Sequence, residues 1–268
     1  MPMVQAGDIQ LEYFEQGSGK TCFVLVHGAS SSAVIWDQVQ HNLADGGFRS
    51  VAISLRGAGG SDRTDRDEDY SPKRYAEDLC LALTELNLPR FILVGHSLGV
   101  SDVLYLQRDY GSQFEIQALV LMAGGGGGGR PRPDAETAAA IKKRIDAATA
   151  TEDPAARDRW EPLHAGLSKQ VRDQLWQDIQ NNPVERTRGQ STSGVDDMTE
   201  VLGNLAIPVL VVSGDDDRVV PLGATLPIYD KLPEGMRFMH VFHGVGHFPN
   251  GQIPDKLTDL FMRFSGTV

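Results

Sequence analysis

Short, continuous apolar runs alternate along the chain with helix-like segments, and this alternation limits the fold more than any other feature. Three of these runs, at 21–27, 49–55 and 91–94, are too short for helices but apolar enough for strands that are covered on both faces. Segments with helical spacing of apolar residues stand between them, at 34–44 and 71–88. Parallel strands need such crossover helices, whereas antiparallel hairpins do not. We therefore expect an α/β fold, with a mostly parallel sheet flanked by helices.

The alternation stops after this first half of the chain and resumes near the end. Six glycines fill 124–129, the stretch at 134–203 is polar and helical, and strand-like sequence returns at 207–214. An interruption of roughly 75 residues is longer than an ordinary connection. We predict a helical lid inserted after the sixth strand. The predicted segments are a first part of the core at 1–124, the lid at 125–203 and a second part of the core at 204–268.

Composition and charge narrow the classes of partner. The chain has 25 Lys and Arg against 36 Asp and Glu, a net charge of −11, and no basic cluster that would attract nucleic acid or an anionic membrane. No apolar run approaches the about 18–20 residues of a membrane span. The N-terminal segment lacks the basic and apolar parts of a secretory signal, and two cysteines do not make a disulfide framework. The expected location is cytoplasmic.

The strand at 91–94 runs directly into Gly95-His96-Ser97-Leu98-Gly99, and a helix-like segment follows. A plain turn does not need small residues on both sides of a polar one. The pattern G-x-S-x-G between a strand and a helix is typical of a nucleophile elbow, where glycines let the two elements approach closely. It predicts Ser97 as the nucleophile, with the N–H of Leu98 directed at developing negative charge. The alternative is a serine with a purely structural role in the turn.

A serine hydroxyl is a weak nucleophile and needs a histidine base oriented by an acid. Three aspartates, Asp215 to Asp217, follow one of the later strands, and His243 and His247 follow the last strand. The carboxyl ends of parallel strands meet at the edge of the sheet where ligands bind. The order serine, aspartate, histidine also suits this type of elbow. The pattern leaves the acid open among three aspartates and the base between two histidines.

These motifs resemble the α/β-hydrolase fold superfamily, specifically its serine hydrolases with a helical lid. The segment His27-Gly28-Ala29-Ser30 stands where that family has its oxyanion loop. The segment Arg56-Gly57-Ala58-Gly59-Gly60-Ser61-Asp62 looks like its R-G-x-G-x-S-D turn. A serine nucleophile argues against the branches of the superfamily that use aspartate, the haloalkane dehalogenases and epoxide hydrolases.

The resemblance implies a catalytic triad and an oxyanion hole. The family spacing G-x-x-D…P favours Asp217 as the acid, ahead of Asp216 and Asp215, and the ending G-H-F-P favours His247 over His243. The oxyanion hole would use the backbone N–H groups of Ala29 and Leu98. No cofactor and no metal are expected.

The predicted activity is hydrolysis of a small or medium uncharged carboxylic ester or lactone through an acyl-enzyme. Two alternatives stay open: a C–C bond hydrolase acting on β-diketones, and a ligand sensor or signalling protein that keeps the triad but turns over slowly. The predicted partner is a small-molecule substrate, with no nucleic acid and no membrane. Four arginines of the lid are the candidates for an anion site: Arg157, Arg159, Arg186 and Arg188.

Several titratable residues near these motifs receive structural interpretations. Asp102 is interpreted as a first-turn charge favoured by the helix dipole. His164 is interpreted as a half-exposed residue on the surface of a helix. His27 and His96 are expected to be packing or hydrogen-bonding residues.

Overall fold

The computed structural model describes residues 1–125, 127–150 and 153–268. The strands are β1 (Met3–Ala6), β2 (Ile9–Gln16), β3 (Cys22–Val26), β4 (Arg49–Ile53), β5 (Arg90–His96), β6 (Glu115–Met122), β7 (Gly128–Arg130), β8 (Val195–Asp197), β9 (Val209–Gly214) and β10 (Arg237–Phe242). The helices are α1 (Asp37–Asp45), α2 (Pro72–Glu85), α3 (Gly99–Tyr110), α4 (Ala135–Thr149), α5 (Ala156–Trp160), α6 (Lys169–Gln180), α7 (Val184–Thr192), α8 (Thr199–Gly203), α9 (Leu222–Lys231), α10 (Pro249–Gln252) and α11 (Pro254–Ser265).

Eight of these strands form one sheet in the order β1-β2-β4-β3-β5-β6-β9-β10. β2 pairs antiparallel with β1 and β4, and the remaining neighbours are parallel. The prediction of a mostly parallel, eight-stranded α/β-hydrolase sheet flanked by helices is confirmed. β1 was not predicted, because its four residues offer too short a pattern.

The apolar runs form strands because both of their faces are covered. Every residue of β3 and of β9 is buried, which explains why neither strand shows an alternation of apolar and polar residues. Leu79 of α2 and Val103 of α3 belong to the core on one face of the sheet. Val39 of α1 and Phe261 of α11 belong to the core on the other face. The strand ends between these layers carry the candidate site.

Helices α4 to α8 and a small antiparallel sheet of β7 and β8 lie between β6 and β9. That small sheet was not predicted, because β7 is made of two glycines and an arginine that are all exposed. Leu175 of α6 is buried in the same core as α1 and α11. The division into core and lid at 1–124, 125–203 and 204–268 remains a prediction, and Gly126, Thr151 and Glu152 of the lid segment lie outside the described residues. No helix in the described ranges is long and apolar enough to cross a membrane.

Candidate active site

Ser97 stands on a sharp turn between β5 and α3. Its φ of 55° lies in the left-handed region, which a non-glycine residue rarely adopts. The flanking glycines are needed because the strand and the helix almost touch. A Cβ on Gly95 would lie 2.5 Å from the carbonyl oxygen of Gly99, and one on Gly99 would lie 2.7 Å from that of His27. The local sequence thus produces the strained turn that lifts Ser97 out of the sheet.

A chain of two hydrogen bonds links Ser97, His247 and Asp217. His247 Nδ1 lies 2.8 Å from Asp217 Oδ2, and His247 Nε2 lies 2.9 Å from Ser97 Oγ. An ionised carboxylate only accepts hydrogen bonds, so the ring proton of His247 is on Nδ1. Nε2 is then free to accept the hydroxyl proton of Ser97. This is the geometry that general-base activation of a serine requires.

Asp217 is buried and ionised. Burial raises the pKa of its carboxyl, but the hydrogen bond from His247 and those from the backbone N–H groups of Val220 and Val219 outweigh burial and lower it below its usual range. Both N–H groups lie 2.8 Å from Oδ1, while Oδ2 accepts from His247. The carboxylate is therefore held in one orientation, with one oxygen reserved for the imidazole.

The neighbouring aspartates point elsewhere. Asp215 Oδ2 lies 2.7 Å from His243 Nδ1, and the side chain of His243 is 99% exposed. Asp216 pairs with Arg218 at 3.3 Å on the surface. Of the three aspartates, the structure brings Asp217 to His247, and it places His243 away from Ser97.

The loop after β3 packs directly against the nucleophile. A Cβ on Gly28 would lie 2.8 Å from Ser97 Cβ, so this loop and the elbow are in van der Waals contact. Within the part of the chain that the structure describes, neither the N–H of Ala29 nor that of Leu98 donates a hydrogen bond. The oxyanion hole formed by these two N–H groups stays a prediction.

The histidines inside the two motifs are neutral and hydrogen-bonded. His27 accepts the N–H of Leu55 at Nε2 (3.0 Å), and its Nδ1–H donates to the carbonyl of Gly28. His96 donates from Nε2 to the carbonyl of His247 at 2.8 Å. Burial lowers the pKa of each ring to about 3. Their expected packing and hydrogen-bonding roles agree with this arrangement.

The interpretation of His164 as a half-exposed surface residue was wrong. The residue is 1% exposed, and its ring lies 4.1 Å from that of Trp160 and 4.7 Å from that of Phe248. The Phe248 ring in turn lies 5.0 Å from His247. Phe248 was not predicted as a neighbour of the base, although it follows His247 directly in the sequence. Helical periodicity could not reveal this burial, because Phe248, one of the two rings that cover His164, comes from a distant part of the chain.

Asp102 also differs from its interpretation as a first-turn charge. It does lie in the first turn of α3, but it is fully buried, and neither carboxyl oxygen has a hydrogen-bond partner among the described residues. Burial raises the pKa of Asp102 well above its ordinary value, and the nearby charge of Arg186 only partly opposes this rise. Burial therefore disfavours the charged form that the interpretation through the helix dipole assumed.

The four lid arginines do not form a cluster that awaits an anion. Arg157 pairs with Asp173 and Glu161, and Arg159 pairs with Asp153. The remaining two arginines are also engaged: Arg188 pairs with Asp146, and buried Arg186 donates to Asn182 Oδ1 and the carbonyl of Ser31. In residues 1–125, 127–150 and 153–268, no group of three or more His, Cys, Asp or Glu side chains could hold a metal ion.

Two cavities differ in their relation to this site. A cleft of about 300 Å³ opens beside Leu98 and is lined by Val100, Leu104, Val195 and Met198, among others. A larger cavity of about 1070 Å³ lies between α6 and the β2 side of the sheet, and none of Ser97, Asp217 and His247 lines either cavity. The smaller cleft is the one that adjoins the nucleophile elbow.

Comparisons with known proteins show what this chain is similar to in sequence and in fold. Residues 21–252 match the family model described as alpha/beta hydrolase fold. A non-heme chloroperoxidase of Kitasatospora aureofaciens is 28% identical over 84% of this chain and 84% of its own. A 2-hydroxy-6-oxononadienedioate/2-hydroxy-6-oxononatrienedioate hydrolase of Paraburkholderia phymatum is 27% identical over 97% of this chain and 92% of its own. The structure of a thermophilic esterase from Thermogutta terrifontis superposes with a TM-score of 0.78 at 22% identity, covering 99% of this chain and 98% of that one.

Proposed function

The chain belongs to the alpha/beta hydrolase fold family, and from this premise we propose that it is a serine hydrolase that cleaves a small or medium, uncharged carboxylic ester or lactone. The observation that carries the proposal is the hydrogen-bonded series Ser97–His247–Asp217, with distances of 2.9 Å and 2.8 Å. A series in which a hydroxyl, an imidazole and a carboxylate are joined in this order performs nucleophilic acyl transfer.

In the proposed mechanism, Ser97 Oγ attacks the substrate carbonyl while its proton moves to His247 Nε2. Asp217 holds the imidazole in the correct tautomer and stabilises the imidazolium that forms. The N–H groups of Ala29 and Leu98 donate to the oxyanion of the tetrahedral intermediate. His247 then returns the proton to the departing alkoxide, which leaves an acyl-enzyme. Water deprotonated by His247 attacks that ester, and collapse of the second intermediate releases the acid and restores Ser97.

The cleft beside Leu98 supports the proposed size and polarity of the substrate. Its volume of about 300 Å³ is at the lower end for ligand pockets, and the side chains of Val100, Leu104 and Met198 are the apolar part of a lining that also includes Ser101 and Arg130. A short or branched acyl group fits such a space, whereas a long lipid chain does not. Of the four arginines that were candidates for an anion site, Arg157, Arg159 and Arg188 are paired with carboxylates.

The test is a series of p-nitrophenyl esters from acetate to palmitate, with a lactone and a β-diketone as further substrates. We expect kcat/KM to be highest for short chains and to fall for long ones, with sustained multiple turnover. Val195→Trp, which fills the cleft, should lower kcat/KM for butanoate more than for acetate. A maximum at long chains, or activity on anionic substrates alone, would contradict the proposed substrate class. A single slow turnover would favour a ligand sensor.

A C–C bond hydrolase is the second candidate. It is favoured by the relative from Paraburkholderia phymatum, whose name describes a hydrolase of a 2-hydroxy-6-oxo dienedioate. The same Ser97, His247 and Asp217 would act, but the bond broken would join two carbons of a diketone. Cleavage of the β-diketone with a higher kcat/KM than any ester in the series would support this candidate over the first.

A further inference from the structure

His96 lies at the end of β5, immediately before Ser97, and its buried ring contacts the loop that carries His247. The Nε2–H of His96 donates to the backbone carbonyl of His247 at 2.8 Å, and the two ring centroids lie 5.1 Å apart. A carbonyl oxygen can only accept, so the ring proton of His96 is on Nε2. The residue next to the nucleophile thus holds the backbone of the base.

The other hydrogen bonds of this loop engage residues on both sides of His247, and after it the carbonyl of Phe248 accepts from the N–H groups of Gly251 and Gln252. The N–H of Gly246 donates to Gln252 Oε1 at 2.9 Å, and the carbonyl of Val245 accepts from the N–H of Asp216 at 3.0 Å. Among the described residues, the bond from His96 is the hydrogen bond that engages the backbone of His247 itself. Without it, the backbone of the base would be held only through its neighbours, Val245 and Gly246 before it and Phe248 after it.

From this geometry we propose that His96 is a positioning residue, whose Nε2–H fixes the His247 carbonyl so that the imidazole spans Ser97 and Asp217. The inference deepens the proposed serine-hydrolase function and rests on it. Because His96 is covalently joined to Ser97, the bond sets the separation of nucleophile and base directly. Catalytic geometry is sensitive to this separation, since a misplacement of about 1 Å can cost about 100-fold in rate.

The donor at this position must also stay neutral. His247 becomes a cation when it takes the proton of Ser97, and the His96 ring centroid is only 5.1 Å away. A second cation at this distance would disfavour that protonation. Burial, together with the charge of His247, lowers the pKa of His96 to about 3, so the ring remains an uncharged donor.

Three substitutions separate the hydrogen bond from the shape of the ring. His96→Phe keeps a ring without a donor, and His96→Asn keeps an amide that is too short to reach the carbonyl. His96→Gln places an amide nitrogen about as far from the backbone as imidazole Nε2. We expect kcat on p-nitrophenyl acetate to fall about 10- to 100-fold in the first two variants with KM nearly unchanged. The kcat of the glutamine variant should stay within about threefold of the wild-type value, because its amide restores a hydrogen-bond donor at this position.

A matched control removes a bond of the same kind elsewhere. Gln40 is 1% exposed, and its Nε2–H donates to the carbonyl of Phe14 at 3.0 Å, joining α1 to β2. Gln40→Met should lower the thermal midpoint but leave kcat at the wild-type value. The inference would be overturned if Gln40→Met, with a similar fall in thermal midpoint, lost as much kcat as the His96 variants.

Labelling with a fluorophosphonate distinguishes this inference from the proposed function. Wild type should be labelled at Ser97, and His96→Phe should be labelled more slowly by the same factor as its kcat. Equal rates in the two proteins, or a His96→Gln variant as slow as His96→Asn, would refute the positioning role while leaving the serine hydrolase intact. Absence of labelling in wild type would instead refute the proposed function, on which the inference rests.

Discussion

Replacing Asp102 by leucine should stabilise the protein at neutral pH. The carboxyl group is fully buried in the first turn of α3, and neither of its oxygens has a hydrogen-bond partner among the described residues. A buried polar group without a partner costs about 1–3 kcal/mol, and an apolar group of the same shape removes this cost. Leucine, like aspartate, branches at Cγ, so its side chain is similar in shape. We therefore expect the free energy of unfolding at pH 4 to rise by about 1–3 kcal/mol.

The effect should depend on pH in a defined direction. Burial raises the pKa of Asp102 in the folded state above the ordinary value of about 3.9 that applies in the unfolded chain. The folded state therefore holds a proton that the unfolded state releases as pH rises. Wild type should lose stability relative to Asp102→Leu as pH increases from 4 towards 7.5, because only wild type carries this linkage.

Thermal and urea unfolding at pH 4, 5.5 and 7.5 would measure this difference. A gain of 1 kcal/mol corresponds to about 2–4 °C in the thermal midpoint for a chain somewhat shorter than this one. Asp102→Asn is the matched control, since it abolishes the titration but keeps an unpartnered polar group. Like Asp102→Leu, it should lack the pH-dependent contribution of residue 102 to the free energy of unfolding. Unlike Asp102→Leu, it should not be more stable than wild type at pH 4.

A loss of stability in Asp102→Leu would refute this reasoning. Arg186 of α7 is buried, and it is the charge that opposes the pKa rise of Asp102. If Asp102 were ionised and paired with it, removal of the carboxylate would leave a buried guanidinium without a counter-charge. The free energy of unfolding of Asp102→Leu would then be about 3–5 kcal/mol lower than that of wild type, instead of higher.

Three further predictions concern the catalytic residues and acid stability. Ser97→Ala should abolish fluorophosphonate labelling and ester hydrolysis; labelling of another serine with activity intact would contradict this. Asp217→Asn should lower kcat by about 10⁴-fold, because the imidazole adopts the wrong tautomer, while the asparagine variants of Asp215 and Asp216 retain most activity. Burial lowers the pKa of His164 to about 4, so unfolding should become easier as pH falls below about 6.5. His164→Phe should reduce that pH slope by about 1.4 kcal/mol per unit, measured by urea unfolding from pH 6 to 5.

The fold class and the elbow could be predicted from the sequence because their causes are local. Continuous apolar runs become strands covered on both faces, and Gly95 is required by a close contact with Gly99, only four positions away. β1 and the small sheet of β7 and β8 were missed because strands of three or four residues carry no periodic signal.

The relative positions of distant side chains were decided by the tertiary structure. Asp215, Asp216 and Asp217 are equivalent as residue types, and the strand twist and turn after β9 determine that Asp217 points to His247. The same holds for His164 and Asp102. Their burial depends on rings and helices that are remote in sequence, and helical spacing describes only which residues share a face, not what covers that face.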